Sequence, residues 1–450
     1  MKKKTIFILV LLAVVWRLFL SIHWGLLTKP DSLSYDTLAR NIAAGQGYID
    51  TRPYQPLDAS LTRTPGYPLF LAGIRLVFPG SDWIIILIQN LLGLLTAWMI
   101  YRIGARLIDE RTGILAGLIT AFHPWLIQYG NTLMSEILFM FLATLSILLL
   151  VHGLPKKSWA VVGTAGIVLG AALLVRPALV FLPLLLPIGF WAYYQKIGPA
   201  WRASLVLGVA CLAVVLPWLS WSHAHKGTTG LTAFAGINLL TLIQPPPSFY
   251  KGNTPYEAAL KEFCTESREL IPKTVPAELA GRTSLISVRV PCVYLAAQRL
   301  REQGFSQPDI DRRFLGFALA YILRHPVAYF RLAAREVLRF WSGYPLDGLG
   351  GAFAKETAQN RRDGDRVVLA IKKIVRIGAG ILLSLLTLLG LYKACRRGSL
   401  LVIPAGVVIS MTLLFGFFLV TDLRHRLPAE PFIILLILYG LKKKKEPATT

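Results

Sequence analysis

Charge is scarce in this sequence. Only 16% of its 450 residues are Asp, Glu, Lys or Arg, where a soluble globular chain carries about 25%. With 54% hydrophobic residues and a mean hydropathy of +0.56, that deficit excludes a surface that meets only water. Cysteine is scarce too. Cys211, Cys264, Cys292 and Cys395 make neither a CxxC pair nor a zinc spacing. No nucleotide-binding motif and no fixed-period repeat is present. The apolar stretch after Met1 is too long for a signal peptide and lacks a small-x-small cleavage site, so it reads as an uncleaved first span.

The charge that does occur is unbalanced, with 48 Lys+Arg against 24 Asp+Glu and a formal net charge of +24. In a membrane protein such a balance points to anionic headgroups and phosphate-bearing substrates. Nucleic acid, the usual partner of a basic chain, is not expected, because no soluble basic domain carries the charge.

Apolar runs close to the length that crosses a bilayer, about 20 residues, fall at 5–26, 83–103, 113–129, 132–151, 159–175, 178–194, 201–221, 374–392, 400–420 and 428–441. The expected fold is therefore an all-α polytopic membrane bundle of about ten spans. Short loops rich in Lys and Arg stay cytoplasmic. Lys2–Lys4, Arg102/Arg106/Arg111, Lys156/Lys157, Lys196/Arg202, Lys393/Arg396/Arg397 and Lys442–Lys445 all fall on one side of this span list. Both termini are thus expected in the cytoplasm, with segments 27–82 and 222–373 outside it. The domain division that follows is 1–221, an outer periplasmic-type domain 222–373, and the spans and basic tail 374–450.

In the first outer segment Asp31, Tyr35, Leu38, Ala39 and Ile42 keep helical spacing, and Gly45 and Gly47 end the pattern. RTPGYPLFLAGIRLVF follows, apolar but too short to span. In the second, RRFLGFALAYILRHPVAYFRLAAREVLRFW interleaves Arg with aromatics, as helices lying in a headgroup layer do. A bridge between Cys264 and Cys292 is open, since the compartment would permit one.

Five segments in order resemble the GT-C superfamily of membrane glycosyltransferases, in the family 39 and protein-mannosyltransferase-like branch that includes lipid A aminoarabinose transferases. They are DSLSYDTLARNIAAGQGY (31–48), RTPGYPLFLAG (63–73), NTLMSEILFMFLA (131–143), VRPAL (175–179) and RHRLPAEPF (424–432). The resemblance implies an enzyme of the bacterial inner membrane. It would move a sugar from a polyprenyl-phosphate donor to a lipid, glycan or protein acceptor on the outer face. It also implies Asp31 and Glu136 as catalytic acids and Arg63 as a basic position near the first. Where the family shows adjacent acids, Ser32 follows Asp31 here, which weakens a two-carboxylate metal site. Any divalent cation would fall to Asp31 and Glu136.

The chemistry needs a base for the acceptor and positive charge for the departing phosphate. Arg suits phosphate because its planar fork meets two oxygens at once. The residues for these tasks each carry a plainer reading. Asp31 is equally an N-cap, and Glu136 a negative charge at a helix start. Asp36 pairs with Arg40 at i, i+4. Arg176 holds phosphate or snorkels to the interface, and Arg17, deeper in the first span, faces the bundle as a partner for phosphate or a carboxylate. Arg424, His425 and Arg426 hold a carrier phosphate or headgroups, and His123 before Pro124 is structural. Tyr35 and Tyr67 line a sugar site or belong to an aromatic belt. A transporter or flippase and a non-catalytic polymer-assembly subunit are the alternative functions.

Overall fold

The computed structural model describes residues 3–52, 57–228, 230–245, 249–270, 291–342, 364–396, 400–419 and 423–442. Among them there is no strand, only one isolated parallel bridge between Leu27 and Thr132. The protein is an all-α multi-pass membrane protein. Its bundle begins with α1 (Lys3–Trp24), whose outer face exposes Leu11, Leu12, Val15, Phe19 and Ile22. Three shorter helices follow: α2 (Pro30–Ala43), α3 (Ala59–Thr62) and α4 (Gly66–Val77). Then come α5 (Asp82–Leu107), α6 (Glu110–Phe122), α7 (Pro124–Gly130), α8 (Glu136–Lys156), α9 (Trp159–Val175), α10 (Leu182–Tyr194) and α11 (Ile197–Lys226).

Among the described residues, four stretches are by themselves long and apolar enough to cross a membrane: Asp82–Leu107, Glu136–Lys156, Ile197–Lys226 and Gly378–Arg396. The other expected spans are shorter or broken. Span 113–129 divides at His123, whose backbone is extended (φ −62°, ψ 115°). Pro124 has no N–H to continue the ladder, and it disfavours helical backbone at the residue before it. Small residues then let helices approach closely. A Cβ at Gly170 of α9 would lie 2.8 Å from the Cys211 carbonyl oxygen of α11, the close packing that helices in lipid use.

The segment 222–373 supplies α12 (Ala235–Ile243), α13 (Pro255–Leu270), α14 (Pro291–Glu302), α15 (Gln307–Arg324) and α16 (Pro326–Ser342). They surround a separate core that includes Ile237, Leu240, Leu260, Val293, Leu300 and Phe314. Cys292 in it is disulfide-bonded, while the Cys264 side chain lies outside the described residues. The chain closes with α17 (Gly364–Arg396), α18 (Val402–Phe417), α19 (Leu423–Arg426) and α20 (Glu430–Leu441).

The bundle has two distinct ends. At one, Lys442 pairs with Asp109, and Lys393 donates to the Gly440 carbonyl. At the other lie the first residue of α8, the last of α9, and α19. The candidate site is there.

Candidate active site

Asp31 is not the N-cap of α2. Lys29 holds that position, Pro30 opens the helix with its preset φ, and the Ser32 hydroxyl accepts from the Lys29 N–H at 2.9 Å. The Asp31 carboxylate therefore turns elsewhere. Its Oδ1 accepts from Arg63 Nη2 at 2.6 Å and its Oδ2 pairs with Arg424 Nη1 at 2.7 Å. Burial alone pushes this carboxyl up. The positive charges of Arg63 and Arg424, with the Arg424 hydrogen bond and the more distant Arg176, outweigh burial and hold it well below the usual carboxylate range.

Arg63 ends α3 with extended backbone, and the turn after it is fastened to the end of α9. The Thr64 hydroxyl donates to the Val175 carbonyl at 3.0 Å. Gly66 is needed there, because a Cβ would sit 2.8 Å from the Leu174 backbone and from Val175 Cγ2. The next residue of that strand of chain is Arg176, so the RTPG and VRP segments meet side by side. Tyr48 Oη donates to the Arg63 carbonyl at 2.9 Å, and the Arg63 guanidinium lies 5.3 Å over the Tyr35 ring.

Glu136, the first residue of α8, is 1% exposed. Its Oε1 lies 2.6 Å from Arg176 Nη1, an ion pair rather than an aligned hydrogen bond. A negative charge at a helix N-terminus is also favoured by the peptide dipoles. Arg176 is thus common to both acids, paired with one and within electrostatic reach of the other. The loops bearing the two acids are joined through their main chains. The Leu27 N–H donates to Asn131 O at 2.7 Å, and the Leu133 N–H to Leu27 O at 3.1 Å. Tyr35 Oη and Ser135 Oγ, 3.3 Å apart, add a side-chain link.

Other expected site residues lie elsewhere. Tyr67 stands edge-on to Tyr35 at 4.9 Å but is fully buried. Its hydroxyl donates to Gln89 Oε1 at 2.7 Å, and Gln89 Nε2 donates to Gly130 O and Thr132 O at 3.0 Å each. Tyr67 is a packing residue behind the site and no part of an aromatic belt. Arg17, 1% exposed on the inner face of α1, donates to the Ala121 carbonyl at 2.9 Å and to Asn90 Oδ1 at 3.3 Å. It caps the open end of α6 left by the Pro124 break. Arg426, 2% exposed, pairs with Glu430 at 2.7 Å, donates to Trp341 O at 2.8 Å and lies over the Trp341 ring. His425 stacks on Phe415 at 4.3 Å. Of the three basic residues in RHR, Arg424 is the one paired with Asp31. The expected Asp36–Arg40 pair is present at 2.8 Å, and Asp36 also holds Arg75 at 2.5 Å.

One neighbour carried no signal in the sequence. Tyr294 of α14 packs edge-on against Phe234 at 6.0 Å and lies within electrostatic reach of Arg63, Asp31 and Arg424. Burial raises its hydroxyl pKa, while Arg63 and Arg424 lower it and Asp31 raises it. No run of helical or motif residues around PCVYLAAQRL marks it out.

A divalent cation does not fit this donor set. Asp31 and Glu136 each face a guanidinium, and no group of three His, Cys, Asp or Glu gathers among the described residues. Three guanidiniums, Arg63, Arg176 and Arg424, against the two carboxylates leave the cluster a positive excess, which suits an anion.

Residues 62–221 match the family model of dolichyl-phosphate-mannose-protein mannosyltransferases. No curated protein matches the chain. Among solved structures, the oligosaccharyltransferase AglB from Archaeoglobus fulgidus, in complex with an inhibitory peptide and a dolichol-phosphate, is similar with TM-score 0.52 and 14% identity. The similarity covers 97% of this chain and 50% of that one, so this chain spans half the length of the oligosaccharyltransferase. The apo form of the Archaeoglobus fulgidus enzyme gives TM-score 0.52 and 15% identity over the same shares, 97% and 50%. ArnT from Cupriavidus metallidurans, bound to undecaprenyl phosphate, gives TM-score 0.42 and 16% identity, covering 94% of this chain and 77% of that one.

Proposed function

From a chain with the GT-C membrane glycosyltransferase fold, we propose that it moves a sugar from a polyprenyl-phosphate donor to a lipid, glycan or protein acceptor at the outer face of the cytoplasmic membrane. The supporting observation is a single carboxylate, Asp31, whose two oxygens are each held by a guanidinium from a different part of the chain, with the Glu136–Arg176 pair beside it. The dolichol-phosphate in the oligosaccharyltransferase supports a lipid-linked donor.

The reaction divides between the two kinds of group. The acceptor O–H or N–H gives its proton to Asp31, and its heteroatom attacks the anomeric carbon. The bond from that carbon to the phosphate oxygen breaks, and the lipid phosphate leaves with the electron pair. Attack from the face opposite the leaving group inverts the anomeric centre. Arg63, Arg424 and Arg176 stabilise charge as it develops on the departing phosphate. A carboxylate clamped by two guanidiniums is a weak base. A phosphate that draws Arg63 and Arg424 toward itself loosens the clamp and makes Asp31 more basic, so donor binding prepares the base. Glu136, buried behind Arg176, is a positioning residue in this scheme.

The test is transfer by the purified protein from a polyprenyl-phosphate sugar, with donor and acceptor chosen by mass spectrometry of envelope lipids and glycans from cells with and without the gene. Asp31→Asn keeps the shape of the side chain and removes its basicity. Transfer is expected to fall about 10²- to 10⁴-fold, the usual contribution of a positioned base. Full transfer by folded Asp31→Asn protein sinks the assignment.

A further inference from the structure

One helix has a face that the candidate site does not use. On α16, Tyr329, Ala333, Glu336 and Phe340 point inward and are buried. They meet the end of α18: Tyr329 Oη donates to Phe417 O at 2.5 Å, and Phe340 stacks on Phe415 with ring centroids 6.3 Å apart. A Cβ on Gly416, between those two, would run into Val337. The stretch from Tyr329 to Phe340 is about 16 Å long at the helical rise of ~1.5 Å per residue. The contacts just named fall on the last turn of α18, and because a Cβ projects sideways from a helix axis, α16 crosses the flank of α18 at the end of the bundle where the candidate site sits.

The opposite face is apolar and open. Val327, Phe330 and Leu338 are 62%, 60% and 66% exposed. At ~100° per residue these three and Ala334 fall within about 80° of arc. Arg331 and Arg335, both exposed, line one edge of that stripe. Arg339, further round, is taken by Glu336. Single exposed apolar residues are ordinary, but an apolar stripe of this kind marks a surface with a partner.

We infer that α16 is an in-plane anchor for anionic lipid, its apolar stripe entering the acyl layer and Arg331 with Arg335 meeting the phosphate of the headgroup. A lipid occupant follows from continuity and from charge. The helix α17, against which α16 packs, exposes Ile381, Leu382, Leu385 and Leu388, so the neighbour of the stripe also presents an apolar surface, and the arginine edge complements phosphate. The inference stands whether or not the protein transfers a sugar.

The full-length protein in neutral detergent micelles, followed by thermal unfolding while phosphatidylglycerol or phosphatidylcholine is added, tests it. Phosphatidylglycerol is expected to raise Tm at lower concentration than phosphatidylcholine. Arg331→Gln/Arg335→Gln, which alters only exposed side chains, is expected to raise the half-maximal phosphatidylglycerol concentration about tenfold or more, each surface arginine being worth roughly a fivefold preference. Phosphatidylglycerol co-purified from native membranes, measured by mass spectrometry, should fall in the same variant. Equal response to the two lipids overturns the inference, as does an unchanged response in the variant, which would place the lipid at the guanidiniums around Asp31. An equal shift from inorganic phosphate alone would make the site one for free phosphate. A change in micellar mass with Leu338→Asn, read by light scattering, would make the stripe a seat for a second copy of the chain.

Discussion

Arginine has one structure and several fates in this chain, and partners decide among them. Arg63, Arg176 and Arg424 face Asp31 and Glu136 at one end of the bundle, whereas Arg17 and Arg426 are sealed from solvent, each donating to a backbone carbonyl and Arg426 also pairing with Glu430. Glu136 depends on Arg176 most directly, since it is buried and its recorded ion partner is that guanidinium. Arg176→Met leaves a buried charge uncompensated, and the cost expected is about 3–5 kcal/mol. Adding Glu136→Gln removes the charge and should recover much of that loss. Thermal unfolding of the single and double variants in detergent checks the coupling, and equal destabilisation of both would show there is none. Asp31, Arg63 and Glu136 stood out in the sequence through the resemblance, and Arg176 and Arg424 as basic residues ahead of prolines at apolar borders. Arg17 and Arg426 carried the same expectation of meeting phosphate. What separates them is an opened helix end at Pro124 and a carbonyl at Trp341, and neither leaves a local trace near the arginine it receives.

At the scale of elements, apolar period and length found most of the helices, and proline explained where one was broken. The ends were less legible. Asp31 resembled a cap because acid before a helical stripe usually is one, yet Pro30 moved the helix start and handed capping to Lys29 and Ser32. The value of the turn before α4 was also hidden, because it lies in a distant contact. Gly66→Ala would press a methyl group into the backbone of Leu174 and shift the residue next to Arg176. A loss of about 1–3 kcal/mol is expected, as for other overpacked sites. Gly73→Ala in the same helix, where nothing lies within 4 Å of the added carbon, should be neutral. The two Tm values measured side by side decide whether the PGYP glycine is a packing requirement.

Among the described residues the two large hydrophobic cores are joined by polar contacts. Gln307 fastens them: its Oε1 accepts from the Asp58 N–H at 2.9 Å, and its Nε2 donates to Ala233 O at 3.3 Å. The Ala233 N–H reaches Leu61 O at 2.8 Å two residues from Arg63. Gln307→Ala strands a buried donor and acceptor, each worth about 1–3 kcal/mol. Faster amide exchange in 58–63 and 231–234, with α8 and α9 unchanged, is the expected result; uniform exchange would mean the cores are not separately fastened there. Prolines and mixed charge set 222–373 apart from the apolar runs of the sequence. They could not show that Tyr294 of this segment comes within electrostatic reach of Arg63, Asp31 and Arg424, because pairings across hundreds of residues leave no period.

The pairing of Asp31 with Arg424 also sets an order of events. The acid precedes its second cation by 393 residues, so translation makes the one well before the other. A nascent polypeptide that has not yet reached α19, however well its earlier helices insert, cannot carry the complete charge cluster.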